Sequence, residues 1–341
     1  YSILDGQSNI QKLVDKAIND GMRGLAITDH GNMFGIKEFY NYCNKVNGKR
    51  KEEGLPPFKP ILGCEMYVAR NKKESKIKEN GDMGGKHLIV LAKNLQGYKN
   101  LIKLVSRSWV DGFYMRPRTD HEDLERYHEG LIVCSACIAG EVPSKVLKGD
   151  YEGAREAARW FKRVFGDDYY LELQRHEVKD PSLRANRQTY PLQQKANQAL
   201  LEIAKELDIK VVCTNDVHFI EKDDAEAHDH LICLSTNKDL NDPNRLLYTK
   251  QEWFKSKEEM NEVFGDLPEA MRNTCEILDK IELYSIDHAP IMPFYPIPED
   301  FGTEEALRQS ISEEDLFKEF TSDENGQNQL SLEEGKKKIE K

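Results

Sequence analysis

The chain has 341 residues, 60 of them acidic and 49 basic, for a net charge of −11. That length holds one large α/β barrel or two ordinary domains. The charge argues against wrapping duplex DNA by phosphate neutralisation alone, though not against single-strand ends reaching a local metal centre.

No apolar run is long enough to span a bilayer, and the first residues lack the basic start and apolar stretch of a signal peptide. Seven cysteines scattered through strand-like segments suit a reducing cytosol better than a disulfide framework. The chain opens at Tyr1 without a Met and reads as a fragment or processed product of a cytoplasmic protein.

Apolar spacing at Ile10, Leu13, Val14, Ala17 and Ile18 predicts a helix from Ser8 to Asp20, capped by Ser8 and stopped by Gly21. Residues 24–30 predict a buried strand and 32–46 a helix. A strand is expected over 58–69, after a loop ending in Pro56-Pro57. Residues 70–86 read as a polar loop with a basic cluster at Lys72, Lys73, Lys76 and Lys78. A strand at 87–93, a helix near 96–110 and a loop containing Phe113-Tyr114-Met115-Arg116 follow. Next come a strand at 130–137, helices near 141–148 and 150–165, and a strand at 169–175. A long helix near 189–207 and a strand at 210–218 complete the alternation. Helices separating strands predict a parallel sheet, either an open doubly wound one or a barrel.

Four strand-like runs end at metal-type side chains: Ala26 to His30, Pro60 to Glu65, Ile132 to Cys137 and Val211 to His218. A fifth, from His87 to Leu91, opens with its histidine instead. Carboxylate, imidazole and thiol donors gathered on one rim favour the barrel and suggest a polynuclear metal site. Glu65 follows an apolar run, where a carboxylate is costly unless paired or metal-bound. Asp216 and His218, two apart on a strand, can face one pocket. His30 can equally hydrogen-bond across a turn, and Cys137 can be an ordinary core residue. His87 is awkwardly placed at the start of its strand, and His176 is its rival on the favoured rim. His228 and His230 do not share a helix face, so both are expected to be solvated. His121, His128 and His288 read as surface residues.

Taken in order, Tyr1-Ser2-Ile3-Leu4-Asp5-Gly6, Ile27-Thr28-Asp29-His30-Gly31-Asn32, Gly63-Cys64-Glu65, His87-Leu88-Ile89-Val90, Gly112-Phe113-Tyr114 and Asn215-Asp216-Val217-His218-Phe219 resemble signatures of the polymerase-and-histidinol-phosphatase (PHP) domain. The resemblance is to the form that opens the alpha subunit of bacterial DNA polymerase III. It implies a distorted seven-stranded β/α barrel over 1–283, a proline-rich connector over 284–302 and a charged segment over 303–341 leading to a polymerase core. Carried over by position, the metal ligands are Asp5, His30, Glu65, His87, Cys137, Asp216 and His218, with Asp216, His218 and His30 catalytic. His176 becomes a nearby contact. The implied cofactors are two to three divalent ions, zinc first, with manganese or magnesium as alternatives. The implied partners are a DNA 3′ end, a proofreading exonuclease subunit and other replisome subunits, with no membrane.

The family places a His-x-His pair a few residues before the segment that begins at Tyr1, so the resemblance implies a crippled first metal site in the sequence as it stands. The expected activity is metal-dependent phosphoester hydrolysis, giving 3′–5′ exonuclease proofreading within a parent DNA-directed DNA polymerase; this stretch itself is not expected to polymerise. The rivals are a metal-stabilised module that docks the exonuclease subunit and polymerase core, and a small-molecule phosphatase of the histidinol-phosphatase kind.

Overall fold

A computed structural model describes residues 1–78, 81, 83–178 and 183–294, and beyond these 302, 303, 305, 306 and 309. The chain divides into two compact units, 1–286 and 287–341. Residues 295–301 of the expected connector and nearly all of the expected charged segment lie outside the described residues. Everything below concerns the first unit.

Seven strands form one sheet: β1 (Gly24–Ile27), β2 (Lys59–Val68), β3 (Lys86–Ala92), β4 (Arg118–Thr119), β5 (Leu131–Cys134), β6 (Tyr169–Gln174) and β7 (Lys210–Thr214). Their order is β1-β2-β3-β5-β6-β7, with the short β4 paired to β2. The helices are α1 (Ile10–Asn19), α2 (Ile36–Glu52), α3 (Leu95–Val110), α4 (His121–Arg126), α5 (Glu141–Leu147), α6 (Tyr151–Phe165), α7 (Arg184–Leu207), α8 (Ala225–Thr236), α9 (Lys257–Phe264) and α10 (Pro268–Lys280). Among the described residues, β1 and β7 each pair on one side only. Both strands nevertheless line one cavity of about 390 Å³ together with Ile61, Ile89 and Cys134. The sheet therefore curls around its interior as a half-barrel.

The expected all-parallel sheet needs one correction. Strands β1–β2, β5–β6 and β6–β7 pair parallel, but β3 runs antiparallel to both β2 and β5. A buried apolar run reads the same in either direction, so the pattern carried no sign of the reversal.

Strand alternation divides the core. Val133, Leu171 and Val90 face outward onto Leu101, Phe161 and Leu200 of α3, α6 and α7. Ile132, Cys134, Tyr170 and Val212 face inward, where Ile277, Leu278 and Ile281 at the end of α10 close the interior. A third cluster packs α1 and α2 on β1 and β2 through Val14, Ala17, Phe39, Ile27 and Leu62. Truncating a ring as deeply placed as Phe161 to Ala would cost about 3–5 kcal/mol.

Several boundaries differ from expectation for local reasons. The cap of α1 is Asn9, whose side chain accepts from Lys12 N at 3.1 Å, not Ser8. Helix α2 starts at Ile36 because Asn32 is spent on a turn: its Oδ1 accepts from Phe34 N at 3.0 Å and its Nδ2 donates to His30 O at 3.1 Å. Helix α7 begins earlier than expected and runs through Pro191, a residue that ordinarily argues against a helix interior. Strands β1, β5 and β7 stop two to four residues short of the donors they were expected to carry.

Candidate metal centre

The reversal of β3 resolves the placement of His87. Opposite pairs in the β2–β3 ladder are Glu65 with Ile89 and Tyr67 with His87, so Glu65 and His87 are diagonal neighbours on one face. The start of β3 therefore lies on the same rim as the ends of the parallel strands. Glu65 Oε1 is 2.5 Å from His87 Nδ1. Cys137 Sγ stands 3.5 Å from the same nitrogen. It arrives on a turn beyond β5, where Ala136 takes left-handed backbone with φ of 60°.

The other donors also sit past strand ends. His30 is held to β2 by Glu65 N donating to Asp29 O at 3.1 Å and Gly31 N donating to Glu65 O at 2.8 Å. Asp5 lies on a turn fastened by Ser2, whose Oγ donates to Asp29 Oδ1 at 2.9 Å, and by Gln7 N donating to His218 O at 2.7 Å. Its Oδ2 is 3.0 Å from His30 Nε2, and its Oδ1 is 3.8 Å from His218 Nε2. Tyr248 OH donates to Asp5 Oδ1 at 3.0 Å and lies 3.2 Å from His218 Nε2. Asp216 has φ of 47°, so it is not a strand residue, and the two-apart argument for Asp216 and His218 fails. Both still face one space: all seven expected ligand residues line a single cavity of about 360 Å³, along with Tyr67, Arg116 and Tyr248.

Two donor groups emerge, Asp5–His30–His218 and Glu65–His87–Cys137, each with its ligand atoms within 4.8 Å of one another. Glu65 joins them, because its Oε2 is 3.3 Å from His30 Nδ1 while Oε1 faces His87. At that distance His30 Nδ1 is buried without a well-formed hydrogen bond.

The electrostatics are those of a place suited to a cation. Burial opposes charge on His30, yet its hydrogen bond with Asp5 and the close Glu65 carboxylate overcome it and raise its pKa to about 10. Burial pushes Glu65 up, but the adjacent His30 and His87 imidazoles hold its carboxyl well below the usual range. Asp5 is likewise lowered by His30 and His218 against its burial. Burial, aided by the nearby carboxylates, pushes the Cys137 thiol well up, and burial also raises the Asp216 carboxyl. A proton shared around His30 thus occupies the position where a divalent ion would satisfy the same carboxylates and leave imidazole and thiol deprotonated. The mixed nitrogen, oxygen and sulfur donors fit such an ion.

Other sequence candidates fall elsewhere. His176 is buried and structural: its Nε2 is 3.1 Å from Asn215 O and its Nδ1 is 3.1 Å from Gln193 Nε2. His228 is not solvated as expected; it is 1% exposed, with Nε2 2.8 Å from Asp5 O, so it supports the Asp5 turn. His230 is exposed beside Glu226 O. His121 stacks on Trp160 with ring centroids 4.0 Å apart, while His128 and His288 are exposed. Tyr248 was not anticipated. It comes from a polar loop far along the chain, and no local spacing marks it.

The PHP domain family matches residues 1–176. The chain is similar to DNA polymerase III subunit alpha of Borreliella burgdorferi, 41% identical over 329 residues, covering 94% of this chain and 27% of that protein. It is 37% identical over 322 residues to the Treponema pallidum subunit, covering 94% and 26%, and 37% identical over 335 residues to that of Campylobacter jejuni, covering 95% and 25%. The chain spans about a quarter of the length of these curated relatives.

Proposed function

The chain belongs to the PHP domain family, and from that premise we propose that it is the metal-dependent phosphoesterase part of a bacterial replicative DNA polymerase alpha subunit, removing nucleotides from a DNA 3′ end. The observation that carries this reading is the single cavity lined by all seven donors, with Glu65 facing both groups. The names of the relatives supply the polymerase setting, in which DNA, a proofreading exonuclease subunit and other replisome subunits are the proposed partners. Its seven free cysteines are consistent with a cytosolic setting. Among the described residues no helix is long and apolar enough to cross a membrane.

In this reading Glu65, His87 and Cys137 would hold one divalent ion and Asp5, His30 and His218 another, with Asp216 facing the same space. The thiol and imidazoles favour zinc over magnesium, with manganese between. Bound divalent ions supply charge neutralisation for the phosphoryl group and a water of lowered pKa. His218 is oriented by its Nδ1 contact with Asp216 O at 2.7 Å and by Tyr248. His30 is oriented by Asp5 on one nitrogen. Asp216, which lines the same cavity, is assigned proton transfer at the leaving oxygen.

The deciding experiment measures shortening of 3′-labelled single-stranded DNA by the metal-loaded protein. Asp216→Asn should reduce the rate by about a hundredfold or more while the melting curve stays in place. No hydrolysis with zinc, manganese or magnesium would leave the cavity a structural metal centre in a docking module. Hydrolysis untouched by Asp216→Asn would remove the catalytic assignment.

A further inference from the structure

We propose that Arg116 is the phosphate anchor of this cavity, and that the Trp109–Phe113 pair beside it receives the terminal base of a single-stranded nucleic acid. The inference rests on the phosphoesterase reading and adds the residues that would grip the strand end: a phosphate anchor and a base platform.

Among the described residues, Arg116 is the only lysine or arginine lining a cavity that also holds three carboxylates and three imidazoles. Its guanidinium carbon lies 5.4 Å from the Tyr67 ring centroid, and Tyr67 stands 5.2 Å, edge to face, from the His87 ring. No ion pair with a carboxylate occupies it among the described residues. A guanidinium held over an aromatic ring keeps its fork of donors available to phosphate oxygens.

The backbone that presents Arg116 is built with care for its position. Met115 takes φ of 62°, and Tyr114 N donates to Arg116 O at 3.0 Å, so the chain reverses tightly at that point. The base of the turn is fixed by Arg118, fully buried, whose Nε donates to Gly112 O at 3.0 Å and whose terminal nitrogen donates to Lys73 O and Ser75 O at 2.8 Å each. Yet the tip packs into no core: Phe113 is 43% and Met115 64% exposed.

Trp109, also 43% exposed, stacks on Phe113 with centroids 5.4 Å apart and planes 22° apart. Its Nε1 donates to Gly31 O at 2.8 Å, one residue after the donor His30. Two aromatic rings are therefore kept near water: Phe113 on the turn that carries Arg116, and Trp109 at the end of α3, tied to the residue after His30. Aromatic rings beside a positive charge are how proteins take unstacked bases with their phosphates. The net charge of −11 argues against wrapping a duplex by phosphate neutralisation alone.

The test is fluorescence anisotropy of a 5′-labelled oligo-dT strand with the zinc-loaded protein at low salt, a binding measurement that needs no turnover. Arg116→Ala should weaken binding at least tenfold, Arg116→Lys should recover only part of it, and both should keep the metal content and melting curve of the parent. Phe113→Ala should weaken binding about fivefold or more. Binding should quench tryptophan fluorescence in the parent protein but not in Trp109→Phe. Unchanged binding in Arg116→Ala, or loss in Arg116→Ala without any effect of Phe113→Ala or any quench, overturns the proposal. Binding that depends on both residues in a protein that cuts nothing would uphold the strand-end site and sink the phosphoesterase reading. Cutting by a protein whose Arg116 and Phe113 variants bind normally would do the reverse.

Discussion

The two donor groups share a cavity but stand on different kinds of backbone. Glu65 and His87 belong to adjacent strands of one ladder, at register positions that cannot shift without moving β2 against β3 along their whole length. Asp5, His30 and His218 lie on turns beyond strand ends, held by a mesh of single hydrogen bonds from Ser2, Gln7, Tyr248 and His228. A ladder position moves only with its whole register, whereas a mesh can be loosened one contact at a time. The Glu65–His87 part of the first group should therefore be robust to distant change, and the second group should be tunable by residues that never touch an ion.

Removing Glu65 should have the largest effect, since it is the link between the groups. Glu65→Ala should release metal from both, whereas His87→Ala should empty only its own, as elemental analysis of the two proteins would record. The same substitution leaves two imidazoles facing a buried gap, and breaking a buried pair costs about 3–5 kcal/mol. Equal metal loss from Glu65→Ala and His87→Ala would mean the groups are independent.

Glu172 tests how the supports of the two groups are coupled. Its carboxylate accepts from Ala136 N at 3.0 Å, beside Cys137, and from Thr214 Oγ1 at 2.5 Å, at the end of the strand leading to Asp216. Burial is the main cause that raises its pKa to about 7, from an ordinary value of 4.5. The folded protein thus favours the protonated form. That stability is fully present below about pH 4.5 and is lost as pH rises through about 7, to the extent of about 3 kcal/mol. Glu172→Gln stays neutral throughout. In the chelated protein it should melt with the parent at pH 4.5 and about 5 °C or more above it at pH 8. Parallel curves at both pH values would show that Glu172 is not held protonated.

The smallest of these effects belongs to the mesh. Tyr248→Phe removes the hydroxyl shared by Asp5 and His218, and loss of such an orienting partner weakens metal binding about 10–100-fold. Chelator competition should show that loss in one class of ion only. A matching loss in the other class would mean that the mesh and the ladder act as a unit.

Much of this was legible in the sequence. The helix–strand alternation places the donors on one rim, because periodicity reports burial and burial is what the barrel imposes. Direction was not legible: His87 at the head of its run was the one sign that β3 is reversed, and only antiparallel pairing explains it. Strand ends were overextended because periodicity continues into the turns that carry His30, Cys137 and His218, although the backbone there has left the ladder. Tyr248 and His228 reach Asp5 from more than two hundred residues away in sequence, a distance at which no local pattern operates. Lys73, read as part of a basic cluster in a polar loop, is 3% exposed and enclosed by Glu74, Asp120 and Asp123. Its neighbours in sequence gave no warning of the two aspartates, which come from the cap and first turn of α4.

The left-handed residues have a further consequence. Leu4, Met115, Ala136 and Asp216 are four of the seven non-glycine positions with positive φ among the described residues, and each is, or directly precedes, a residue lining the metal cavity. Each such conformation costs about 1–2 kcal/mol in an L-residue, so the rim stores strain that the rest of the barrel must hold. Stability and geometry then pull in opposite directions at these sites. Glycine at position 136 would relieve the strain and widen the range of Cys137 placements, so Ala136→Gly should melt no lower than the parent while binding metal more weakly. Strain gathered on one rim goes with the placement of its side chains, a requirement that stability does not set.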